Sequence, residues 1–316
     1  MSKQIHVAVG VIQNACGEIF IAQRAADAHQ GGLWEFPGGK LEPGETTPQA
    51  LTRELREELA IDVEACEPLI QIRHQYPDKA VLLDVYRVTA FSGEPRGNEG
   101  QPVRWVSPGH LGHYAFPAAN RPIIKALGLP SLCAISGAYR DAADLVKKLQ
   151  HTIQSGAGMF VLRDRQLAAN THLPLIAQVG ESLASTSVQF QINTSVVEFE
   201  QIQLHYPMAG LHLNRHELRH CRQRPVADEV CLGASCHNPE ELEMAERVGV
   251  DYVFLSPVLP TLSHSGATPL GWPAFADWVK QINVPVYALG GVTPAQLDQA
   301  KLAGAQGIAA IRAFWP

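Results

Sequence analysis

Three glutamates, Glu54, Glu57 and Glu58, stand at i, i+3 and i+4 in the run Arg53-Glu54-Leu55-Arg56-Glu57-Glu58-Leu59. On a helix they share one face. Carboxylates gathered that way repel one another, and a merely solvated helix face would intersperse lysines. The segment Gly39-Lys40-Leu41-Glu42-Pro43-Gly44-Glu45 lies just ahead of them, inside a glycine-rich loop over residues 31–44. An acidic face behind a glycine loop suits a hard cation. Mg²⁺, or Mn²⁺ in its place, takes oxygen ligands at about 2.1 Å and bridges to substrate phosphates, and the glycines let backbone approach closely. Arg53, one helical step from the acidic face, can pair with Glu45 and pin the loop to the helix. The chemistry indicated is that of a bound hard cation neutralising and polarising a phosphate compound.

The elements that position these groups follow from the hydrophobic pattern. Strand-like runs cover residues 5–12 and 18–22, with residues 14–17 between them reading as a hairpin turn. A helix is expected over about 48–59, further strands over 68–76, 81–91 and 103–106, and a short helix over about 120–127. Gly and Pro punctuate Leu127-Gly128-Leu129-Pro130, the best boundary. Beyond it, short apolar runs at 132–136, 159–162, 188–192, 210–213, 230–234, 252–256, 284–289 and 307–311 alternate with amphipathic stretches. Near-continuous apolar strands separated by helices predict a parallel sheet, and eight of them predict a (β/α)8 barrel. Its final helix reads as truncated at Phe314-Trp315-Pro316. A chain of 316 residues is long for one core. The expected fold class is therefore α/β, with an N-terminal domain over 1–129 and a C-terminal barrel over 130–316.

Composition narrows the function classes. Residues 1–129 hold 12 Lys/Arg against 15 Asp/Glu, and residues 130–316 hold 13 against 16, for a net charge of −6. With no basic stripe, polymeric nucleic acid is not an expected partner, whereas a small phosphate compound is. The six cysteines, Cys16, Cys66, Cys133, Cys221, Cys231 and Cys236, contain no CxxC and read as small buried hydrophobes in a reducing compartment. No signal peptide or transmembrane run is evident, so no membrane is expected and the expected location is cytoplasmic.

The spacing Gly39, five residues, Glu45, seven residues, then Arg53-Glu54-Leu55-Arg56-Glu57-Glu58-Leu59-Ala60-Ile61 resembles the Nudix signature. Only Ala60 departs, where the family has a glycine that ends the helix. The likeness extends through Arg24 to His29, Trp34 to Lys40, Gly97 to Pro102 and Phe116 to Asn120, and it is to Nudix hydrolases of the MutT type, the 8-oxo-dGTP diphosphatases. It implies an α/β/α sandwich around a mixed sheet. It implies that the carbonyl of Gly38 with Glu57, Glu58 and Glu99 binds divalent metal, that Glu54 is general base or a further ligand, and that Arg53 supports them. It places Arg24, His29, Phe36, Gly39, Lys40, Asp78 and Asn120 around the substrate. Lys79 stands where an arginine is usual. Asn120 fits a purine edge, since its amide offers a donor and an acceptor; by itself it reads equally as a helix cap. The implied products are a nucleoside monophosphate and pyrophosphate.

The second half resembles thiamine phosphate synthase and its relative the thiazole tautomerase, through Val161 to Arg165, Gln191 to Asn193, Gly210 to Leu213, Gly233 to Asn238, Ser256 to Thr261 and Ala288 to Val292. The resemblance implies a TIM barrel whose ligand, a thiazole or thiamine phosphate, meets Arg163, Arg165, Asn193, Ser235, His237, Thr261, Gly290 and Gly291. Glycines after the seventh strand suit a phosphate held by backbone N–H groups. The departures oppose synthesis. Thr194 replaces a metal aspartate and Glu217 another, while Arg165 and His264 replace lysines. Ligand binding without chemistry, proton transfer by His237 and a structural barrel stay open, as do hydrolysis of a thiamine-related pyrophosphate by the first domain and a bifunctional chain. His216-Glu217-Leu218-Arg219-His220 fits the zinc signature H-E-x-x-H, yet it falls just after the fourth barrel strand, where a short solvated helix is expected.

Overall fold

The computed structural model describes residues 4–163, 169–261, 266 and 268–316, the side chains of 169–172 excepted. Two units result, Met1–Gly128 and Leu129–Pro316.

In the first unit, β1 (Ile5–Ile12), β4 (Gly38–Lys40), β5 (Asp62–Gln75) and β6 (Ala80–Ser92) form a mixed sheet of order β4-β1-β6-β5. β1 runs parallel to β6 and antiparallel to β4. A smaller antiparallel sheet joins β3 (Trp34–Glu35), β2 (Ile19–Gln23) and β7 (Val103–Val106). The turn at residues 14–17 therefore does not make the expected hairpin. Beyond a single bridge, Gln13 to Ile19, β1 and β2 belong to different sheets, because each finds longer partners elsewhere.

Helix α1 (Thr47–Leu59) buries Thr47, Ala50, Leu51, Leu55 and Leu59, a stripe of helical period. It seats on β1 at Gly10, where a Cβ would come within 3.0 Å of Leu55 and 3.1 Å of Leu51. Its start is fixed by the Thr46 N–H donating to Gln49 Oε1 at 2.9 Å. Its end is Ala60, at φ 60°, ψ 35°. That left-handed conformation is the one the family's glycine would adopt freely, and an alanine there carries a strain of about 1–2 kcal/mol. Ala60→Gly should stabilise the unit by about 0.5–1 kcal/mol after the added unfolded-state entropy of glycine is subtracted, a rise of about 2–5 °C in Tm. An unchanged or lower Tm on thermal unfolding would show the strain to be absent. Helix α2 (Arg121–Leu127) covers the opposite face through Ile123 and Ala126, packed with Val9, Val11 and Val85.

The second unit is a closed parallel barrel, β10-β11-β12-β13-β14-β15-β8-β9. Its strands are β8 (Leu132–Ile135), β9 (Met159–Arg163), β10 (Gln189–Asn193), β11 (Gly210–Leu213), β12 (Leu232–Cys236), β13 (Tyr252–Leu255), β14 (Val286–Leu289) and β15 (Gly307–Ala310). Helices α3 (Ala142–Gln154), α4 (Ala169–Leu183), α5 (Val196–Gln203), α6 (Arg215–His220), α7 (Pro239–Val248), α8 (Gly271–Val279) and α9 (Leu297–Leu302) follow the first seven of them in chain order. All eight expected strands are present; β12 lies two residues later than its apolar run. Cys133, Met159, Val161, Tyr252, Phe254 and Tyr287 fill the barrel interior. Gly233 makes room there, since a Cβ would lie 2.2 Å from the Tyr252 ring. After β15 the chain folds inward without a helix. Phe314 and Trp315 are buried, Trp315 stacks 5.8 Å from Phe160, and its indole N–H donates to the Ala138 carbonyl at 3.0 Å. Of the cysteines, Cys133 and Cys236 are buried but Cys16 is exposed, so the buried reading fails for that turn residue. No described helix is long and apolar enough to cross a membrane.

Candidate active site

In the first unit the glycine loop is clamped between a strand and the acidic helix. Gly38 has φ +145°, and a Cβ there would sit 2.1 Å from the Ala8 carbonyl oxygen; a Cβ on Gly39 would sit 2.1 Å from the Glu54 carboxyl carbon. The Glu54 carboxyl thus rests directly on the backbone of Gly39, and the Gly38 N–H donates to Glu58 Oε2 at 3.2 Å. Arg53 holds the far side. Its Nε and Nη2 donate to the two oxygens of Glu45 at 2.8 and 2.9 Å, its Nη1 donates to Glu54 at 2.8 Å, and Nη2 also reaches the Lys40 carbonyl at 3.1 Å. This bidentate bond from Arg53 is the chief reason the Glu45 carboxyl is held down at about 2.

A cavity of about 420 Å³ opens on this face, lined by Glu54, Glu58, Phe36, Asn120, Arg24 and Tyr76 among others. Phe36 is buried and stacks on Phe116, with centroids 5.4 Å apart. Arg24 pairs with Glu35 and donates Nε to the His29 carbonyl at 2.8 Å. Asn120 is 6% exposed and opens α2, yet its side chain makes no capping bond.

The barrel has its own cavity, of about 300 Å³, built from the C-terminal ends of strands. Arg163 comes from the end of β9, Gly290 and Gly291 from beyond β14, Arg312 from beyond β15, and Ser256 and Thr261 from the segment after β13. Gly290 and Gly291 have φ values of +92° and +71°, so their N–H groups can turn together toward an anion. Beside this mouth His212 is 2% exposed, with Nδ1 3.0 Å from the Tyr252 hydroxyl and Nε2 2.9 Å from the Ser235 hydroxyl. Burial, then the nearby Arg163 charge, push His212 down to about 3, so it is neutral at pH 7.

Comparison with known proteins assigns both halves. Residues 8–126 match the NUDIX domain family, and residues 132–314 match the thiamine monophosphate synthase family. The 8-oxo-dGTP diphosphatase of Escherichia coli is 45% identical over 125 residues, which span 40% of this chain and 97% of that protein. The CTP pyrophosphohydrolase of Escherichia coli is 38% identical over 124 residues, 39% of this chain and 91% of that protein. The thiamine-phosphate synthase of Bacillus velezensis is 27% identical over 189 residues, 58% of this chain and 83% of that protein. The chain belongs to both families. Its first half is a Nudix hydrolase homologous to 8-oxo-dGTP diphosphatases, and its second half is a thiamine monophosphate synthase-type barrel.

The Nudix cavity gathers Arg24, His29, Phe36, Gly38, Gly39, Lys40, Glu54, Glu58 and Asn120 from the residues named by sequence. Four others stand apart from its lining. Glu57 is 59% exposed and lies 3.6 Å from Arg53, Arg53 lies behind Glu54, Asp78 is a rim residue 3.6 Å from His29, and Glu99 is on the exposed turn after β6. Glu99 still acts on the site. Burial chiefly raises the Glu58 carboxyl to about 8, against the Gly38 N–H bond, with the charges of Glu35, Glu54 and Glu99 adding to it. Glu35 is one residue of the lining that the sequence reading missed. Burial raises its carboxyl as well, against the charge of Arg24. Its signal was its place beside Phe36 on the two-residue strand leading into the glycine loop.

In the barrel, Arg163, Thr261, Gly290 and Gly291 line the cavity, whereas Asn193, Ser235 and His237 do not. Asn193 donates to the His212 carbonyl at 2.8 Å. His237 Nδ1 lies 3.1 Å from Glu241 Oε2, and Arg215 and Arg219 donate to the other oxygen of that carboxylate. Burial opposes ionisation of Glu241, but the Arg215 and His237 bonds outweigh it and hold the carboxyl low. Arg165 lies outside the described residues. The rings of His216 and His220 stand 4.5 Å apart on an exposed face, and the described residues contain no group of three metal-ligating side chains there or elsewhere.

Proposed function

We propose that the Nudix half hydrolyses 8-oxo-dGTP, or a related oxidised purine triphosphate, to the monophosphate and pyrophosphate. The observation that carries this reading is Asn120: a buried amide, unused as a helix cap, lining the same cavity as Glu54, Glu58 and the Phe36 ring. Such a group hydrogen-bonds a purine edge and penalises analogues lacking the matching atom. Similarity to a CTP pyrophosphohydrolase makes the base the point to test.

The site fits magnesium in its chemistry. Its donors are all hard oxygens, and the Glu58 carboxyl, raised chiefly by burial and further by the charges of Glu35, Glu54 and Glu99, would be relieved by a cation. Magnesium keeps several waters and shares substrate phosphates rather than filling an all-protein cage. The Gly38 carbonyl, Glu57, Glu58 and Glu99 would hold it, with Glu54 as general base or further ligand. When bound, magnesium supplies charge neutralisation and polarisation of the bond to be cleaved. Glu54, fixed by Arg53 and Gly39, accepts a proton from the attacking water. Phe36, Arg24, His29, Asp78 and Asn120 surround the base of the nucleotide, with Gly39 and Lys40 also among its contacts.

The test is a hydrolysis panel of 8-oxo-dGTP, dGTP, CTP and thiamine pyrophosphate with Mg²⁺. The oxidised purine should lead, and Asn120→Ala should lose about 1–3 kcal/mol of its preference over dGTP, roughly 5–150-fold. Full discrimination in the mutant would remove Asn120 from base recognition. Thiamine pyrophosphate as the best substrate would replace this reading.

For the barrel, the reading is retention of a phosphorylated thiazole or thiamine ligand without joining of thiazole to pyrimidine. Thr194 donates its hydroxyl to Glu198 at 2.6 Å, and Glu217 accepts the Val196 N–H at 3.3 Å. Both side chains thus bond to the start of α5. Incubating the chain with both synthase substrates and Mg²⁺ should form no thiamine phosphate above background. A second reading is proton transfer by His237, whose Nδ1 is oriented by the buried Glu241 as a general base would be, although His237 stands outside the lining of the cavity.

A further inference from the structure

The acidic helix meets the sheet through a polar cluster, none of whose members lines the Nudix cavity. Asp84, on β6, is 7% exposed. Its neighbour Leu83 lines the cavity, so strand alternation turns Asp84 to the opposite face, where Tyr86 and Val88 pack with α1. Its Oδ2 accepts the hydroxyl of Thr47, the first residue of α1, at 2.6 Å, and its Oδ1 accepts Gln71 Nε2 of β5 at 3.1 Å. His6 of β1 brings Nε2 to 3.4 Å from Oδ2. A buried carboxylate is weak evidence of added stability; what it adds here is direction. The middle of α1 has none, since Leu51 and Leu55 press on Gly10, which offers β1 no side chain as a stop, and apolar contact is non-directional. Two directional ties flank that contact. Arg53 ties the helix to the Lys40 carbonyl on the edge strand β4, and Asp84 ties its start to the interior strand β6.

We infer that Asp84 is a positioning residue of the hydrolase: through Thr47 it fixes the axial register of α1, and with it the placement of Glu57 and Glu58 against Gly38 for a divalent cation. The inference rests on the first unit being a metal-dependent hydrolase and is independent of the base it prefers. Thr47 and Glu58 stand about 16 Å apart along the helix axis, and a rigid helix carries a shift at one end to the other. The cluster lies behind the site, so its loss acts on the metal-bearing face without touching the nucleotide.

The experiment uses the full chain and reads Mn²⁺ binding by titration calorimetry, thermal unfolding without metal, and kcat and KM for 8-oxo-dGTP. Thr47→Val removes the hydroxyl and keeps the shape. It should weaken Mn²⁺ binding by about 10-fold and lower kcat by about 10–100-fold, with KM at saturating metal within about twofold of wild type. Thr47→Ser keeps the hydroxyl and should behave as wild type. Asp84→Asn keeps an acceptor for Thr47 and should retain most of the activity, whereas Asp84→Leu should match Thr47→Val. The double variant Thr47→Val/Asp84→Leu leaves neither of the two groups unpaired, so its metal-free Tm should be at least that of either single variant, while Mn²⁺ affinity and kcat stay low. Recovery of function together with Tm in the double variant would make the cluster merely structural and overturn the inference. Wild-type Mn²⁺ affinity and kcat in Thr47→Val would overturn it too, and in both cases the hydrolase reading stands. If wild type binds Mn²⁺ but leaves 8-oxo-dGTP intact, the base reading falls and the Mn²⁺ titrations still decide the role of Asp84. Wild type that binds no Mn²⁺ overturns the metal reading and this inference together.

Discussion

Glu58→Gln is expected to lower kcat of hydrolysis by about 10²–10⁴-fold at saturating Mg²⁺, the rate equivalent of the several kcal/mol a bound divalent ion supplies. The amide keeps the shape and can still meet the Gly38 backbone, but it brings no charge to a cation. Stability without metal should move the other way. The Glu58 carboxyl titrates near 8 in the folded chain and near the ordinary carboxylate value when unfolded, so the folded state binds its proton more tightly. Metal-free stability is then full below about pH 4.5, falls as pH rises toward 8, and levels off beyond. Glu58→Gln removes that slope, so its metal-free Tm should equal or exceed wild type at pH 8. Glu57→Gln should cost a similar factor in kcat. Near-normal turnover in both variants would remove these glutamates from the metal site. A metal-free Tm that falls in parallel for wild type and Glu58→Gln would assign the slope to other groups.

Gly38→Ala should be the most damaging single methyl in the first unit. Its φ of +145° lies in a region open in practice to glycine alone, a strain of about 1–3 kcal/mol for any other residue. The new Cβ would also point at the Ala8 carbonyl oxygen from 2.1 Å, with no flexible side chain to give way. The β1–β4 pairing, Val9 opposite Gly38, would have to open, and with it the placement of the Gly38 carbonyl and of Glu58. We expect a total loss of about 3–5 kcal/mol and no measurable hydrolysis. Gly44→Ala is the control. Its φ is +89° but nothing lies within 4 Å of its Cβ, so only about 1–2 kcal/mol is at stake. Thermal unfolding and initial rates of the two variants decide the matter; equal losses would mean that conformational strain, not contact with β1, governs both.

The acidic helix was legible because its register is set locally. Spacing of three and four residues fixes which carboxylates share a face, and Leu51, Leu55 and Leu59 fix which face turns inward. The barrel was legible because most of its strands are buried and read as short, mainly apolar runs. What depended on distant partners was not legible. Residues 14–17 carry the local signals of a hairpin, but which sheet β2 enters is decided by β3 and β7. Glu35 looked like any polar neighbour of a buried phenylalanine until Arg24 and Glu58 came to meet it. Arg312 gave no local sign, since only closure of the barrel brings the end of β15 beside Thr261. The two barrel glycines read as phosphate ligands, yet their absent side chains are also needed by the neighbouring backbone of Pro257 and Pro260.

That closure also sets an order of events during synthesis. Every strand of the first unit lies within residues 5–106, so its sheets can be completed while the ribosome is still translating the barrel. The barrel has no such freedom. β8 needs β15 as its neighbour, with Ala134 opposite Ala310. At 5–20 residues per second, roughly 10–35 s separate the emergence of those two residues. Through that interval the β8 edge has no partner, and an unpaired apolar strand is a site for wrong association. A hydrolase-competent nascent chain should therefore exist before the barrel does, and slow translation or chaperone loss should deplete the second unit while sparing the first.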